Sequence, residues 1–153
     1  MGSVQTSFRT FAVTMTAASF LLHLGWEYLQ CHLFFVHGSV PPTHEAMLIA
    51  TVGDVVLTWV GYFLAAFVSR DWKWGLGTWS CRAWLAVEGF SLVASIAIEL
   101  RALTRGRWSY TEIAPLVPGT SISLLPVLQL LTLLPASFAL GRWYARRKSP
   151  GVR

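Results

Sequence analysis

Four long apolar runs dominate the sequence and restrict the folds that are open to it. They cover about Phe8–Leu29, Ala46–Val68, Ala83–Leu103 and Ser121–Trp143 of a 153-residue chain. Each run is close to the roughly 20 residues that a helix needs to cross ~30 Å of hydrocarbon. Because backbone groups inside a bilayer must satisfy their own hydrogen bonds, the runs predict helices. We therefore expect an all-α, integral membrane four-helix bundle that forms a single membrane domain over residues 1–153.

The composition supports a multi-pass membrane protein. Only 12% of the residues are charged and 54% are hydrophobic, whereas soluble domains carry about 25% charged residues. The net charge of +5 would suggest nucleic acid in a soluble protein. Here the basic residues lie at the ends of the apolar runs, as in Arg146-Arg147-Lys148, where they fix orientation or attract anionic lipids. We expect membrane lipids as partners and no nucleic acid.

The distribution of basic residues predicts the orientation. Nine of the twelve Lys and Arg residues fall in the N-terminus, the second connection and the C-terminal tail, which share one side of a four-span protein. Arg101, Arg105 and Arg107 lie on the other side. The positive-inside rule then places both termini in the cytoplasm. We expect the cell membrane, and a bacterial inner membrane rather than the endoplasmic reticulum.

The connections carry aromatic and histidine residues. The first outer connection, Gln30–Glu45, lacks Lys and Arg and holds His32, His37 and His44. We predict a partly re-entrant or interfacial segment there, with interfacial aromatic anchoring as the alternative. In the inner connection, the tryptophans look like an aromatic belt at the membrane surface: Trp72, Trp74 and Trp79.

Polar side chains from all four runs fall at one depth. Counting from the run ends at 1.5 Å per residue places five of them roughly 3–12 Å below the outer boundary: His23, Glu27, Asp54, Glu99 and Gln129. His23 and Glu27 are four residues apart and share a helix face. Ionisable groups in hydrocarbon are costly and usually functional. The pattern favours a functional cavity, with a purely structural polar network as the alternative.

Carboxyl groups and a histidine around one cavity can donate and accept protons. The candidate catalytic residues are His23, Glu27, Asp54 and Glu99. The candidate substrate-binding residues are the tryptophans, whose rings can face a cationic intermediate, and two amides: Trp26, Gln30, Trp59, Trp84, Trp108 and Gln129. No cofactor motif appears and no metal-ligand spacing is evident, so we expect neither. Glu88 is interpreted as a structural partner of Arg82 or an inner-side residue.

These positions resemble the emopamil-binding-protein superfamily, whose membrane domain is called EXPERA. His23 and Glu27 are similar to the His-x-x-x-Glu of its sterol isomerase, and Asp54 stands near a glutamate of the second span. Glu99 before a turn, and Gln129 before Leu134-Pro135, are similar in layout to the third and fourth spans. Glutamine replaces the family's asparagine, and Asp54 is shorter than glutamate. The resemblance implies a four-helix membrane fold and members that either isomerise sterols or bind ligands.

We therefore expect an intramembrane acid–base isomerase or cyclase that needs no cofactor. Its substrate would be an apolar sterol-like or isoprenoid molecule, bound in a cavity in the outer half of the bilayer. The alternatives are a non-catalytic membrane protein that binds lipids or small amines, and a proton-coupled carrier. No clear small-xxx-small face requires dimerisation, and a homodimer stays open.

Overall fold

The computed structural model describes residues 2–36 and 42–148, with side chains from Ser7 onward. His37 in the first connection and Arg153 in the basic tail lie outside the described residues. The elements in chain order are α1 (Gly2–Phe34), β1 (Phe35–Val36), α2 (His44–Ser69), α3 (Cys81–Thr104), β2 (Ser109–Tyr110) and α4 (Leu124–Lys148). The prediction of an all-helical fold with four main helices is confirmed.

Three of the helices, α2, α3 and α4, are long and apolar enough to cross a membrane. This finding supports a membrane protein and leaves the membrane itself unspecified. Helix α1 is longer than the others, at 33 residues, but it does not belong to that set. Its assignment as a fourth span therefore stays a prediction.

Side-chain caps set where α2 and α3 begin. The Thr43 hydroxyl accepts a hydrogen bond from the Ala46 amide at 3.1 Å, and the Ser80 hydroxyl accepts one from Ala83 at 3.2 Å. Each cap satisfies a backbone N–H that has no partner within its helix. The helices accordingly start two residues before the predicted apolar runs, at His44 and Cys81.

The four helices form a closed ring in which α1 contacts both α2 and α4, and α3 contacts both α2 and α4. The α1–α4 contact requires a glycine. A Cβ atom at Gly141 would lie 3.0 Å from the Cβ of Met15 and 3.1 Å from the carbonyl oxygen of Phe11. The missing side chain therefore lets the two helices approach closely.

Aromatic side chains fill the end of the bundle nearest the α2–α3 connection. Phe11, Tyr62 and Phe138 are fully buried there, and Trp74 is 1% exposed. The indole N–H of Trp74 donates to the Tyr62 carbonyl at 3.1 Å, and its ring stacks on Tyr62 at 5.3 Å. The prediction that Trp74 belongs to a surface belt is wrong, because the connection folds back and inserts this ring into the core. Trp72, in contrast, is 63% exposed.

Polar side chains lie inside the bundle beside its apolar core, and large apolar side chains cover its outside. Small hydroxyl side chains are completely buried between the helices, among them Ser19, Thr51, Thr58, Ser91 and Ser137. Large apolar side chains cover the outside, and Leu21, Ile49, Phe67 and Val93 are each at least 65% exposed. An apolar exterior of this extent is typical of a surface that contacts lipid.

A short strand pair joins the two connections at the other end of the bundle. β1 pairs antiparallel with β2, and Phe35 lies opposite Tyr110. Helix α1 continues five residues beyond Leu29 before this pair, so the first part of Gln30–Glu45 is helical. That segment was expected to be re-entrant or interfacial. Residues 30–34 extend α1 and lead to the strand pair with the second connection, and the interfacial placement of the segment stays a prediction.

Candidate functional site

A stripe of buried polar residues runs along α1 towards the β1–β2 end. Ser19, His23, Glu27 and Gln30 are each no more than 7% exposed. Their spacing of three or four residues places them on one face of the helix. This face packs against α2 and α4, so the stripe meets Asp54 of α2 and Gln129 of α4.

The Gln129 side chain lies at the centre of the cluster. Its amide nitrogen is 2.9 Å from Oδ2 of Asp54 and 3.1 Å from Oε1 of Glu27. The same nitrogen is 3.1 Å from Nδ1 of His23. Because an amide nitrogen has two protons, it can donate to two of these three acceptors at once. The structure thus brings together His23, Glu27, Asp54 and Gln129 from three helices.

His23 and Asp54 form an acid–base pair. Nδ1 of His23 is 3.2 Å from Oδ2 of Asp54, and the imidazole is fully buried while the carboxylate is 16% exposed. Nε2 of His23 is buried and has no hydrogen-bond partner among the described residues. Imidazole and carboxyl groups are both side chains that can donate or accept a proton, so the contact brings two such groups together.

Gln30 holds Glu27 in place. Its amide nitrogen donates to Oε1 of Glu27 and to Oε1 of Gln129, each at 2.9 Å. The indole N–H of Trp26 donates in turn to the Gln30 carbonyl oxygen at 2.8 Å. On the other side, the thiol of Cys31 donates to Oε2 of Glu27 at 3.3 Å. Trp26 therefore acts on the cluster through Gln30 and does not border the cavity.

A cavity of about 690 Å³ lies beside this cluster. Its polar lining comes mainly from Glu27, Gln30, Asp54, Glu99, Arg107 and Gln129, and most of the remaining lining is apolar. The volume is typical of sites for small organic ligands. Ile49 of α2 and Ile98 of α3 line the cavity and are also 65% and 41% exposed. We infer that the cavity reaches the outer surface between α2 and α3.

Glu99 borders the same cavity but is held by different partners. The hydroxyl of Tyr110 donates to Oε2 of Glu99, and the indole N–H of Trp108 donates to the same oxygen at 3.3 Å. Neither Arg101 nor Arg105 lies within 4 Å of the Glu99 carboxylate. Tyr110 was not predicted as a site residue. Its local sequence is equally compatible with an anchor at the membrane interface. The contact with Glu99 depends on the pairing of β1 with β2, which local sequence does not indicate.

Besides Trp26, two more of the predicted substrate-binding tryptophans do not line the cavity. The indole N–H of Trp59 donates to the Thr16 hydroxyl at 3.1 Å, and its ring stacks on Phe63 at 5.5 Å. Trp84 stacks on Trp79 at 5.2 Å near the opposite end of the bundle. Trp108 does line the cavity, as do Gln30 and Gln129.

Glu88 does not pair with Arg82. Within the described chain, the one contact under 4 Å between an acidic and a basic side chain is that of His23 with Asp54. Glu88 and Arg82 are six residues apart on α3, which places them about 120° apart around the helix axis. The predicted ion pair is therefore wrong, and Glu88 is an acidic residue outside the polar cluster.

The described residues contain no group of three or more His, Cys, Asp or Glu side chains arranged to hold a metal ion. No protein-family model matches the chain, and neither the curated proteins nor the solved structures include a significant match.

Proposed function

We propose that all four helices cross a cell membrane, with both termini in the cytoplasm and a bacterial inner membrane as the setting. The support for α1 as a span is the direction of its polar residues. Its ionisable groups His23 and Glu27 face the bundle interior, while Val13, Leu21 and Leu29 are at least 63% exposed. A helix of this kind has modest hydropathy over its length and still offers lipid an apolar surface.

We further propose that the protein is an acid–base isomerase or cyclase for an apolar isoprenoid or sterol-like substrate. The observation that carries the proposal is the position of Glu27 and Asp54 in the lining of a largely apolar cavity of about 690 Å³, with His23 3.2 Å from Asp54. Acid–base groups in such a cavity can act on a substrate that has no polar handle. The resemblance of these positions to the emopamil-binding-protein superfamily agrees with this chemistry.

The reaction needs one proton donor and one proton acceptor. A carboxyl group, Glu27 or Asp54, transfers its proton to one alkene carbon and leaves a carbocation. A carboxylate or His23 acting through Asp54 then removes a proton from a neighbouring carbon, which restores a double bond at a new position. Gln129 contacts all three groups and passes no charge itself, so it orients them. The proton returns through the cluster, and the net proton balance is zero.

Substrate would enter sideways from the lipid. The exposed lining residues of α2 and α3 lie at the opening, and a Cβ atom at Gly53 would meet no heavy atom within 4 Å. An apolar molecule can therefore pass from the acyl chains to the carboxylates without crossing water. Glu99, held by Trp108 and Tyr110, borders the cavity and stands as a further acid for longer substrates.

A binding protein without catalysis is the second candidate, and one observation favours it. The Asp54 carboxylate lines the cavity and is partly exposed, so it could pair with a protonated amine. A proton-coupled carrier has less support. The other half of the bundle is filled by buried aromatic side chains, Phe11, Tyr62, Trp74 and Phe138, which interrupt a polar route.

Solvent deuterium incorporation tests the catalytic proposal. The purified protein is incubated in D₂O with a panel of isoprenoid and sterol alkenes, and the products are analysed by mass spectrometry. We expect deuterium in a double-bond isomer or cyclised product, with rates reduced by about 100-fold or more in Glu27→Gln or Asp54→Asn. The matched control is Glu88→Gln, which removes an acid of the same helix bundle outside the cavity.

The outcomes separate the candidates. Tight binding of an alkene or amine without product or deuterium would overturn catalysis and favour the binding protein. Incorporation that is equal in wild type and in both acid variants would remove Glu27 and Asp54 from the reaction. Proton flux in proteoliposomes that depends on Asp54 would instead favour a carrier.

A further inference from the structure

A second hollow lies at the end of the bundle opposite the polar cluster. It has a volume of about 530 Å³ and is lined by Trp79, Ala139, Arg142, Trp143, Arg146 and Arg147. The last turns of α4 form one wall, and the connection between α2 and α3 forms the other. Nothing in the proposed reaction uses this hollow.

The three arginine side chains are held in place by contacts that leave their charge unmatched. The guanidinium of Arg142 lies 5.9 Å from the ring centre of Trp79, and that of Arg147 lies 4.2 Å from the ring centre of Trp143. Arg146 donates to the Leu76 carbonyl at 3.0 Å. No described carboxylate lies within 4 Å of any of these groups. The hollow therefore concentrates positive charge that no described side chain neutralises.

Apolar side chains on the outer surface of the bundle surround the hollow. Trp143 is 52% exposed, Leu140 is 41% exposed, and Trp84 is 39% exposed beside Trp79. A ligand that matches both features has an anionic head and long apolar tails. Guanidinium groups suit phosphate oxygens because several N–H donors point in one plane.

A purely topogenic role would not require this geometry. Positive residues that only fix orientation can extend separately into water. Here three guanidinium groups and two indole rings converge on one hollow at the edge of the apolar surface. We propose that this hollow binds the phosphate group of an anionic phospholipid, with the acyl chains against the exposed tryptophan and leucine side chains. The proposal does not depend on the catalytic function.

Phosphatidylglycerol and phosphatidylcholine are suitable probes. Lipid retention by the purified full-length protein is measured by native mass spectrometry, and affinity by titrating each lipid in detergent. We expect a preference for phosphatidylglycerol, weakened on the order of 10- to 100-fold in the triple variant Arg142→Gln, Arg146→Gln and Arg147→Gln. The matched control removes three exposed charges elsewhere, by Arg82→Gln, Arg101→Gln and Arg105→Gln.

A second variant keeps the test sharp if the triple variant does not fold. Replacing the same three arginines by lysine keeps the charge and removes the planar donors, and we expect an intermediate loss of about 3- to 10-fold. Equal weakening in the control triple variant would overturn the proposal, because any loss of charge would then suffice. Inorganic phosphate that competes as well as phosphatidylglycerol would identify a soluble-anion site and would also overturn it. An unchanged affinity in both arginine variants contradicts the proposal directly.

Discussion

Replacing Gln129 by leucine should destabilise the bundle more than any other single polar substitution in the cluster. The side chain is 4% exposed and contacts polar groups of two other helices, α1 and α2. Its nitrogen can donate two hydrogen bonds, to Glu27 and Asp54, and its oxygen accepts one from Gln30. Leucine has similar size and removes all three.

The magnitude follows from counting these bonds. A hydrogen bond between helices in a membrane protein contributes about 0.6 kcal/mol on average, and a typical buried bond about 1 kcal/mol. Three bonds therefore give roughly 2–3 kcal/mol for Gln129→Leu. For a chain of this length, that loss corresponds to a decrease in Tm of about 4–12 °C.

Reversible unfolding in mixed micelles, followed by circular dichroism, measures the change. The control is Thr132→Val on the same helix, where the hydroxyl is exposed and donates to the Leu128 carbonyl within α4. We expect that control to change stability by less than about 0.5 kcal/mol. A double-mutant cycle with Gln30→Leu should give a coupling of about 0.6–1 kcal/mol.

Two results would refute this reasoning. If Gln129→Leu were as stable as the wild type, the amide would not be the centre of the hydrogen bonds described above. If the cycle gave no coupling, Gln30 and Gln129 would not be bonded to each other. Either result would remove the structural basis for a shared cluster.

Three further predictions concern packing, entry and pH. Gly141→Ala should destabilise the protein by about 1–3 kcal/mol in the same assay, because its Cβ would contact Met15 and Phe11, whereas Gly89→Ala, with open space around it, should not. Gly53→Leu should slow uptake of an apolar ligand at the α2–α3 opening, measured by stopped-flow binding, while Gly25→Leu, outside the cavity lining, should not. Burial, together with the bond to Glu99, raises the pKa of Tyr110 above its usual value. Its contribution to stability is present below about pH 10 and is lost as the pH rises further, so Tyr110→Phe should flatten the alkaline decline seen in thermal melts from pH 8 to 12.

The sequence by itself determined the helices and where they lie. An apolar run of about 20 residues in a bilayer must form a helix to satisfy its backbone hydrogen bonds. The all-helical fold class and the approximate helix positions therefore followed from the lengths of the runs. The depth argument also predicted that polar groups from different helices would lie at one level. The structure brings His23, Glu27, Asp54 and Gln129 into contact, and Glu99 borders the same cavity.

Depth along a helix says nothing about which neighbour a side chain faces. That direction depends on how each helix is rotated about its own axis relative to its neighbours. The packing of side chains between helices sets this rotation. Trp26, Trp59 and Trp84 were expected at the cavity and do not line it.

The connections were the least predictable parts, because their positions depend on contacts between residues far apart in the chain. The fold of the α2–α3 connection buries Trp74 in the aromatic core. The pairing of β1 with β2 brings Tyr110 to Glu99. Neither contact can be read from the residues next to Trp74 or Tyr110 in the sequence. The tertiary structure alone therefore decided which aromatic side chains lie in the core and which lie at the site.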